Sequence, residues 1–253
     1  MSPGRRAALR ALLLPAAAVL LLGAVEAPTP PQSLPPAEAA KQGRLLAAEL
    51  AAQRPAENST NSGILKIRVS REQRSETAVT FAVRMTETNW MNFYLAQTPT
   101  NRVLLEILHN EGSNEYRLGG NDPDSFTLLA GNATMIPFAG SDFWVADLGL
   151  EFLRWPEQRL VRTQMRSGRS CRVLESVNPQ PAPGAYSRVL CWLDRETGGI
   201  VHAEAYDFKD KLLKEFDPKE FKKVQGQWQL QEMEIANRQS GSRTRIEFNV
   251  TWK

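Results

Sequence analysis

The chain has 253 residues, of which 42% are hydrophobic and 23% charged, with a formal charge of +3 and two cysteines. Setting aside Arg5, Arg6, Arg10 and Glu26 at the N-terminus leaves a charge of about +1, which excludes the strongly basic footprint of a nucleic-acid binder. The two cysteines form no C-x-x-C pair, so that redox motif is absent.

The first residues, MSPGRRAALR, are basic, and the apolar run Ala11–Ala24 follows, interrupted by Pro15. Basic, then apolar, then small residues is the order of a secretory signal peptide, here residues 1–27. Cleavage is expected after Ala24 or Ala27, the second disfavoured because Pro28 would follow the bond. An uncleaved anchor in the inner membrane is the alternative. Residues 28–36, rich in proline, read as an extended tether. Residues 37–253 remain for one domain.

That domain opens with a predicted helix, AEAAKQGRLLAAELAAQ, whose Ala39, Leu45, Leu46 and Leu50 form an apolar stripe. Pro55 and a polar loop end it. Short strand-like runs follow, separated by polar turns: GILKIRVS, ETAVTFAVRMT, NWMNFYLA, NRVLLEILH and NEYRLG. Thr77, Val79, Phe81, Val83 and Met85 share one strand face, as do Val103, Leu105 and Ile107; Leu104 and Leu108 make the opposite face apolar as well.

Ser141–Pro156 interrupts the strands and reads as a second helix. Ser141 or Asp142 would cap it, Pro156 would end it, and Trp144, Leu148 and Phe152 recur at four-residue spacing. More strands complete the chain, with KLLKEFD and KEFKKVQG read as separate ones. The surrounding charge-dense run is expected to protect a sheet edge. In the last strand Thr244, Ile246, Phe248, Val250 and Trp252 alternate with polar residues, so one face is wet. The fold class expected is α+β, mainly antiparallel β: a strongly curved, incomplete barrel with helices over its concave face.

Catalytic signatures are missing. His202 and Glu204 share a strand face near Asp207, a weak metal signal without a third ligand of matching type, and a solvated strand face is the expected reading. No G-x-S-x-G, H-E-x-x-H or phosphate-binding glycine loop occurs. The sequence implies no metal, cofactor or catalytic residue. Export makes a Cys171–Cys191 disulfide the expected state, worth roughly 3 kcal/mol for a loop of about twenty residues; two buried free thiols are the alternative. Asn-x-Ser/Thr sequons at Asn58, Asn132 and Asn249 say little, and Asn249 falls within a predicted strand.

The order of pieces carries a resemblance. An export signal and helix lead to RPAENSTNSGILKIRV, NWMNFYLA, DFWVADLGLEFLRWP and GRSCRVLESVNP, then to YSRVLCWLDRETGGIVHAEAYDFKDKLLKEF and GQWQLQEMEIANRQSGSRTRIEF. Over residues 37–253 this resembles the LolA-like, outer-membrane lipoprotein-sorting proteins of Gram-negative bacteria. The resemblance implies an incomplete β-barrel with an apolar cavity for acyl chains. It also implies a soluble periplasmic carrier of lipoprotein or lipid between an inner-membrane transporter and an outer-membrane acceptor. The chain departs from the archetype in its length, its proline-rich tether and its cysteines. Within such a fold Phe81, Val83, Met85, Met91, Phe93, Leu105 and Ile107 are candidate cavity liners, with Trp144, Leu148 and Phe152 as a lid. A lipoprotein sensor or adaptor of the same fold, and a hydrolase without recognisable motifs, are the competing expectations.

Overall fold

The computed structural model describes residues 34–98, 100–122, 125–224 and 227–249. The leader, both cleavage positions and tether residues 28–33 lie outside the described residues, as do Val250, Thr251 and Trp252. Among the described residues no helix is long and apolar enough to cross a membrane.

Helix α1 spans Pro36–Ala51, with Pro36 at its first turn, where a missing N–H costs nothing. Its buried face is Gly43, Leu46 and Ala47, with Leu50 half-buried. Those positions follow i, i+3, i+4, i+7. Leu45, expected in the stripe, falls off this face and is exposed. A Cβ at Gly43 would lie 2.3 Å from the Arg159 Cα, so glycine is what lets the helix rest on that backbone.

Thirteen strands follow: β1 Ser59–Arg68, β2 Arg74–Met85, β3 Trp90–Gln97, β4 Arg102–His109, β5 Asn114–Gly119, β6 Phe126–Leu129, β7 Glu157–Arg166, β8 Arg169–Val177, β9 Arg188–Asp194, β10 Ile200–Tyr206, β11 Leu212–Val224, β12 Gln227–Asn237 and β13 Arg243–Phe248. They form one antiparallel sheet in the order β6-β5-β4-β3-β2-β1-β13-β12-β11-β10-β9-β8-β7, which does not close. Two meanders are thus joined where the first strand meets the last, Gly63 opposite Phe248 through Arg68 opposite Arg243.

This order has a direct consequence. β6 and β7 are consecutive in sequence but stand at opposite ends of the sheet, so the connecting segment 130–156 must travel the full width between them. It does so against the apolar face of both meanders. Phe138, Phe143 and Val145 pack with Leu65, Val79, Leu105, Ile107 and Ile246 on one half. Met135, Ala146, Phe152 and Leu153 pack with Leu174, Val189, Cys191 and Ala203 on the other.

Within this segment, Ser141–Pro156 is not the continuous helix expected. That stretch holds a single α-turn, α2, Val145–Leu148, and a 3-10 turn, Glu151–Arg154. The Asp147 carboxylate, rather than Ser141 or Asp142, accepts the N–H that starts the helix, from Trp144 at 2.8 Å. The helix stops after Gly149, where Leu150 turns left-handed at φ 49°; residue 149 is glycine because a Cβ there would meet the Tyr116 hydroxyl at 2.2 Å.

Two further expectations change. KLLKEFD and KEFKKVQG are one strand, β11, which passes through Pro218 with register shifts just beyond it, as a residue without an N–H requires. β11 lies between β10 and β12, so its charges do not protect an edge. The disulfide is also corrected. Cys171 lies opposite Asp194, and Cys191 lies opposite Leu174. Residues 171 and 174 are three apart, so strand alternation sends them to opposite faces. Cys191 packs with Leu46, Leu174 and Leu193, and Cys171 with Val173, Leu190 and Trp192 on the reverse side. Both are free, buried thiols, and a bridge would have to pass through the sheet.

Candidate functional site

Between the connecting segment and the sheet lies a cavity of about 420 Å³, within the range of roughly 300–1,000 Å³ typical of small-molecule sites. Strand alternation builds its wall. Phe81 and Val83 of β2 and Tyr94 of β3 approach from one meander; Ala203 and Ala205 of β10, Phe216 of β11 and Met233 of β12 approach from the other, and Phe248 of β13 stands between. The connecting segment supplies Phe143, Leu148, Leu150 and Phe152. The aromatic side chains brace one another, with Phe81 edge-on to Tyr94 at 5.5 Å and 5.0 Å from Phe248. Opposite them, alanines at alternate positions of β10 leave open space where larger side chains would fill it.

Five of the ten residues expected from sequence border this cavity: Phe81, Val83, Phe93, Leu148 and Phe152. Phe93 does so with strand parity opposite to that of Tyr94. Leu105 and Ile107 are fully buried in the closed core under Phe138 and Phe143. Met85 is half-buried beside Trp90, and Met91 lies between Arg84 and Leu108 with the parity of Phe93. Trp144 stacks on Tyr186 at 4.4 Å, beside the cavity rather than on its wall. Sequence reasoning missed Phe216, Met233, Ala203 and Ala205. For Ala203, Ala205 and Met233 the signal was present as period-two small or apolar residues in IVHAEAY and QLQEMEI; Phe216 lay in the charge-dense KLLKEFD run.

One stretch of the wall is charged. Lys214 is 2% exposed, and its Nζ donates to the Asp142 carbonyl at 2.6 Å, faces the Asp147 carboxylate at 3.6 Å and lies 3.5 Å from the centre of the Trp144 ring. Burial pulls Lys214 down to about 8 against the attraction of Asp147 and Asp142. Burial likewise raises Asp147, although Lys214, the Trp144 N–H and the Tyr186 hydroxyl oppose it. Asp142 in turn accepts from Ser242 at 2.5 Å and Thr244 at 2.9 Å, pinning the connecting segment to β13.

Behind Asn92, which borders the cavity, β3 and β4 hold a second polar group. His109 stacks on Trp90 at 4.8 Å, with its ring nitrogens 3.0 Å from Asn92 and 3.0 Å from Asn114. Burial lowers it to about 4, and the Arg154 cation lowers it further while Asn114 resists. Its unfolded value is about 6.5. Between these values the unfolded chain binds the extra proton, so stability is full above pH 6.5 and is lost as pH falls toward 4. Denaturant titrations across that window should show the parent chain losing roughly 2 kcal/mol more than His109→Gln. Equal slopes for the two proteins would refute the buried neutral imidazole.

His202 differs from the solvated residue expected. It is 1% exposed, on the face of the sheet that carries Trp192, with Nδ1 2.6 Å from Asp217 and Nε2 3.2 Å from Glu204. Asp207 binds the Lys209 and Lys211 N–H groups at a turn. Among the described residues no group of three or more His, Cys, Asp or Glu is placed to hold a metal ion.

Comparison with known proteins then places this geometry. A family model described as "Uncharacterized protein" matches residues 96–251. No curated protein sequence matches the chain. Among solved structures, a domain from Vibrio parahaemolyticus described as outer membrane lipoprotein-sorting superposes with a TM-score of 0.68 at 19% identity, covering 85% of this chain and 95% of that one. A DUF1329 family protein from Desulfovibrio piger gives 0.64 at 17% identity over 85% and 95% of the two chains. A LolA superfamily protein from Nitrosomonas europaea gives 0.58 at 14% identity over 83% and 91%.

Proposed function

This chain belongs to the uncharacterized-protein family whose model spans residues 96–251 and has the LolA-like fold, and from that premise we propose that it is a non-enzymatic periplasmic carrier of acyl chains. The observation that carries this reading is the cavity of about 420 Å³ with its largely aliphatic and aromatic wall. An acyl chain of about sixteen carbons costs on the order of 12 kcal/mol to hold in water at ~0.8 kcal/mol per methylene. A protein that ferries it across an aqueous compartment must offer a dry hollow. It must also let go, which favours a wall of mixed aromatic, Met and Ala side chains over a tightly closed fit.

In this reading the basic-then-apolar leader is a signal peptide that exports the chain to the periplasm of a Gram-negative bacterium. Helix α1 and the connecting segment cover the concave side of the open sheet, with Leu148 and Phe152 as the movable part. The cargo is a lipoprotein's acyl chains or a lipid, received from an inner-membrane transporter and passed to an outer-membrane acceptor. Native mass spectrometry of protein purified without detergent tests this. The expected result is a co-purifying acyl-bearing molecule, or stoichiometric uptake of a hexadecyl probe. Protein that emerges empty and takes up no probe would refute the carrier reading.

A further inference from the structure

We infer that the outer face of the sheet carries a binding site for a terminal phosphate group, held by a row of three arginines, Arg74, Arg68 and Arg243. The site shares no lining residue with the acyl cavity and stands independently of the carrier reading.

Strand register builds the row. Arg68 of β1 lies opposite Arg74 of β2 on one side and Arg243 of β13 on the other. Residues paired across a ladder share a face. Their chain neighbours Ile67 and Thr244 are buried on the inner side, so the three arginines stand on the outer face. Like charges directly opposite one another weaken a sheet. The next row along the same face is neutralised within the protein. There Glu76, Lys66, Arg245 and Glu234 lie side by side. Lys66 meets Glu247 at 2.7 Å, and Arg245 meets Glu232 at 3.1 Å and Glu234 at 3.0 Å. The arginine row has no such compensation. Beyond Arg243 the ladder continues to Ala236, and among the described residues none of the three arginines makes an ion pair or a side-chain hydrogen bond. Arg243 does pull on Glu234, but that carboxylate is already engaged by Arg245 and by Lys219 at 3.5 Å.

These two rows line a groove of about 330 Å³. Five of its lining residues are cations and three are carboxylates, an excess of two positive charges that falls at the arginine end. A phosphate monoester matches this excess, with about two negative charges and three terminal oxygens. Guanidinium groups bind such oxygens through paired N–H donors. Adjacent strands are about 4.8 Å apart, so one phosphate can bridge Arg68 and either neighbour while the third arginine balances the remaining charge. A single carboxylate or a phosphodiester brings one negative charge and would leave the row half neutralised. The monoester can belong to a soluble metabolite or to the headgroup of an anionic lipid.

The test titrates the purified protein with phenyl phosphate at low ionic strength, where exposed charges are least screened. In parallel, it is floated with phosphatidylcholine vesicles with and without phosphatidic acid. Arg68→Gln is expected to weaken phenyl phosphate binding about tenfold, equivalent to about 1.4 kcal/mol. Arg71→Gln removes the same charge from the adjoining turn, outside the groove, and should leave binding unchanged. Glu76→Gln should tighten it. Because Arg68→Gln relieves two like-charge contacts, it should melt no lower than the parent chain without phosphate, and phenyl phosphate should raise its melting temperature less. Vesicle binding counts for this site only where Arg68→Gln loses it. Recovery of phenyl phosphate, of phosphatidic acid vesicles or of both supports the site and identifies the source. Equal losses in Arg68→Gln and Arg71→Gln would show diffuse attraction and overturn the inference. Failure of both phosphate probes, or a preference for a polyglutamate peptide over them, would overturn it too.

Discussion

Phe81→Asp is expected to weaken acyl-chain binding at least a hundredfold while the sheet stays folded. Phe81 is half-buried on β2, borders the cavity and touches Tyr94 and Phe248. A carboxylate there would face the methylenes of any bound chain with no cation supplied by its ring neighbours. Burying it under cargo costs several kcal/mol, and a hundredfold loss needs only about 2.7 kcal/mol. In the empty protein the same carboxylate can meet solvent that enters the hollow, so folding suffers less than binding. Leu105→Asp is the contrast. Leu105 is fully buried in the closed core, so that change should unfold the chain rather than report on cargo. Probe titration and circular dichroism on both variants separate the outcomes. A folded Phe81→Asp protein that still binds the hexadecyl probe normally would show that the hollow is not the cargo site.

Lys214→Met is expected to make the protein more stable, by about 2 kcal/mol at pH 7. Removing one member of a buried ion pair usually destabilises, because its partner is left alone. Here the direction of the Lys214 shift decides otherwise, since burial outweighs the pull of Asp147 and Asp142 and brings the lysine down to about 8. Relative to an ordinary lysine near 10.4, holding the folded side chain charged costs roughly 3 kcal/mol. The methionine loses a hydrogen bond to the Asp142 carbonyl, worth about 1 kcal/mol. Linkage fixes the pH signature. From pH 8 to about 10.5 the unfolded chain binds the extra proton, so the stability of the parent chain should rise through that window. The variant should be flat there. Denaturant unfolding at pH 7 and pH 10 reads both effects, and a variant less stable by 3 kcal/mol at pH 7 would show that the pair's attraction wins. A cavity wall that retains a costly charge is more readily explained by its task than by the fold's stability.

The sheet was legible in the sequence because alternation is a local property. Thr244 and Ile246 of the last strand are buried as their spacing implies, and the same period two marks β2 and β4. The site was legible only in part, and the reason lies in that same signal. Val83 and Leu105 give identical alternating patterns, yet one borders the hollow and the other is sealed in the core. Alternation reports which face a side chain takes, and a strand face carries no record of what lies opposite. Lys214 was hidden for a related reason. Inside a run as charged as DFKDKLLKEFDPKEFKK, a buried lysine looks like its exposed neighbours.

By itself the sequence determined an antiparallel sheet with one leading helix, its mixed polar and apolar faces, and the likeness to the lipoprotein-sorting fold. Each of these follows from residue spacing within a segment. The tertiary structure decided what depends on segments distant in the chain. It separated Cys171 from Cys191 across the sheet, broke the Ser141–Pro156 helix at the left-handed Leu150, and formed the hollow where the connecting segment crosses between two sheet edges. Those outcomes turn on register and chain crossing, which are set by the joint packing of both meanders.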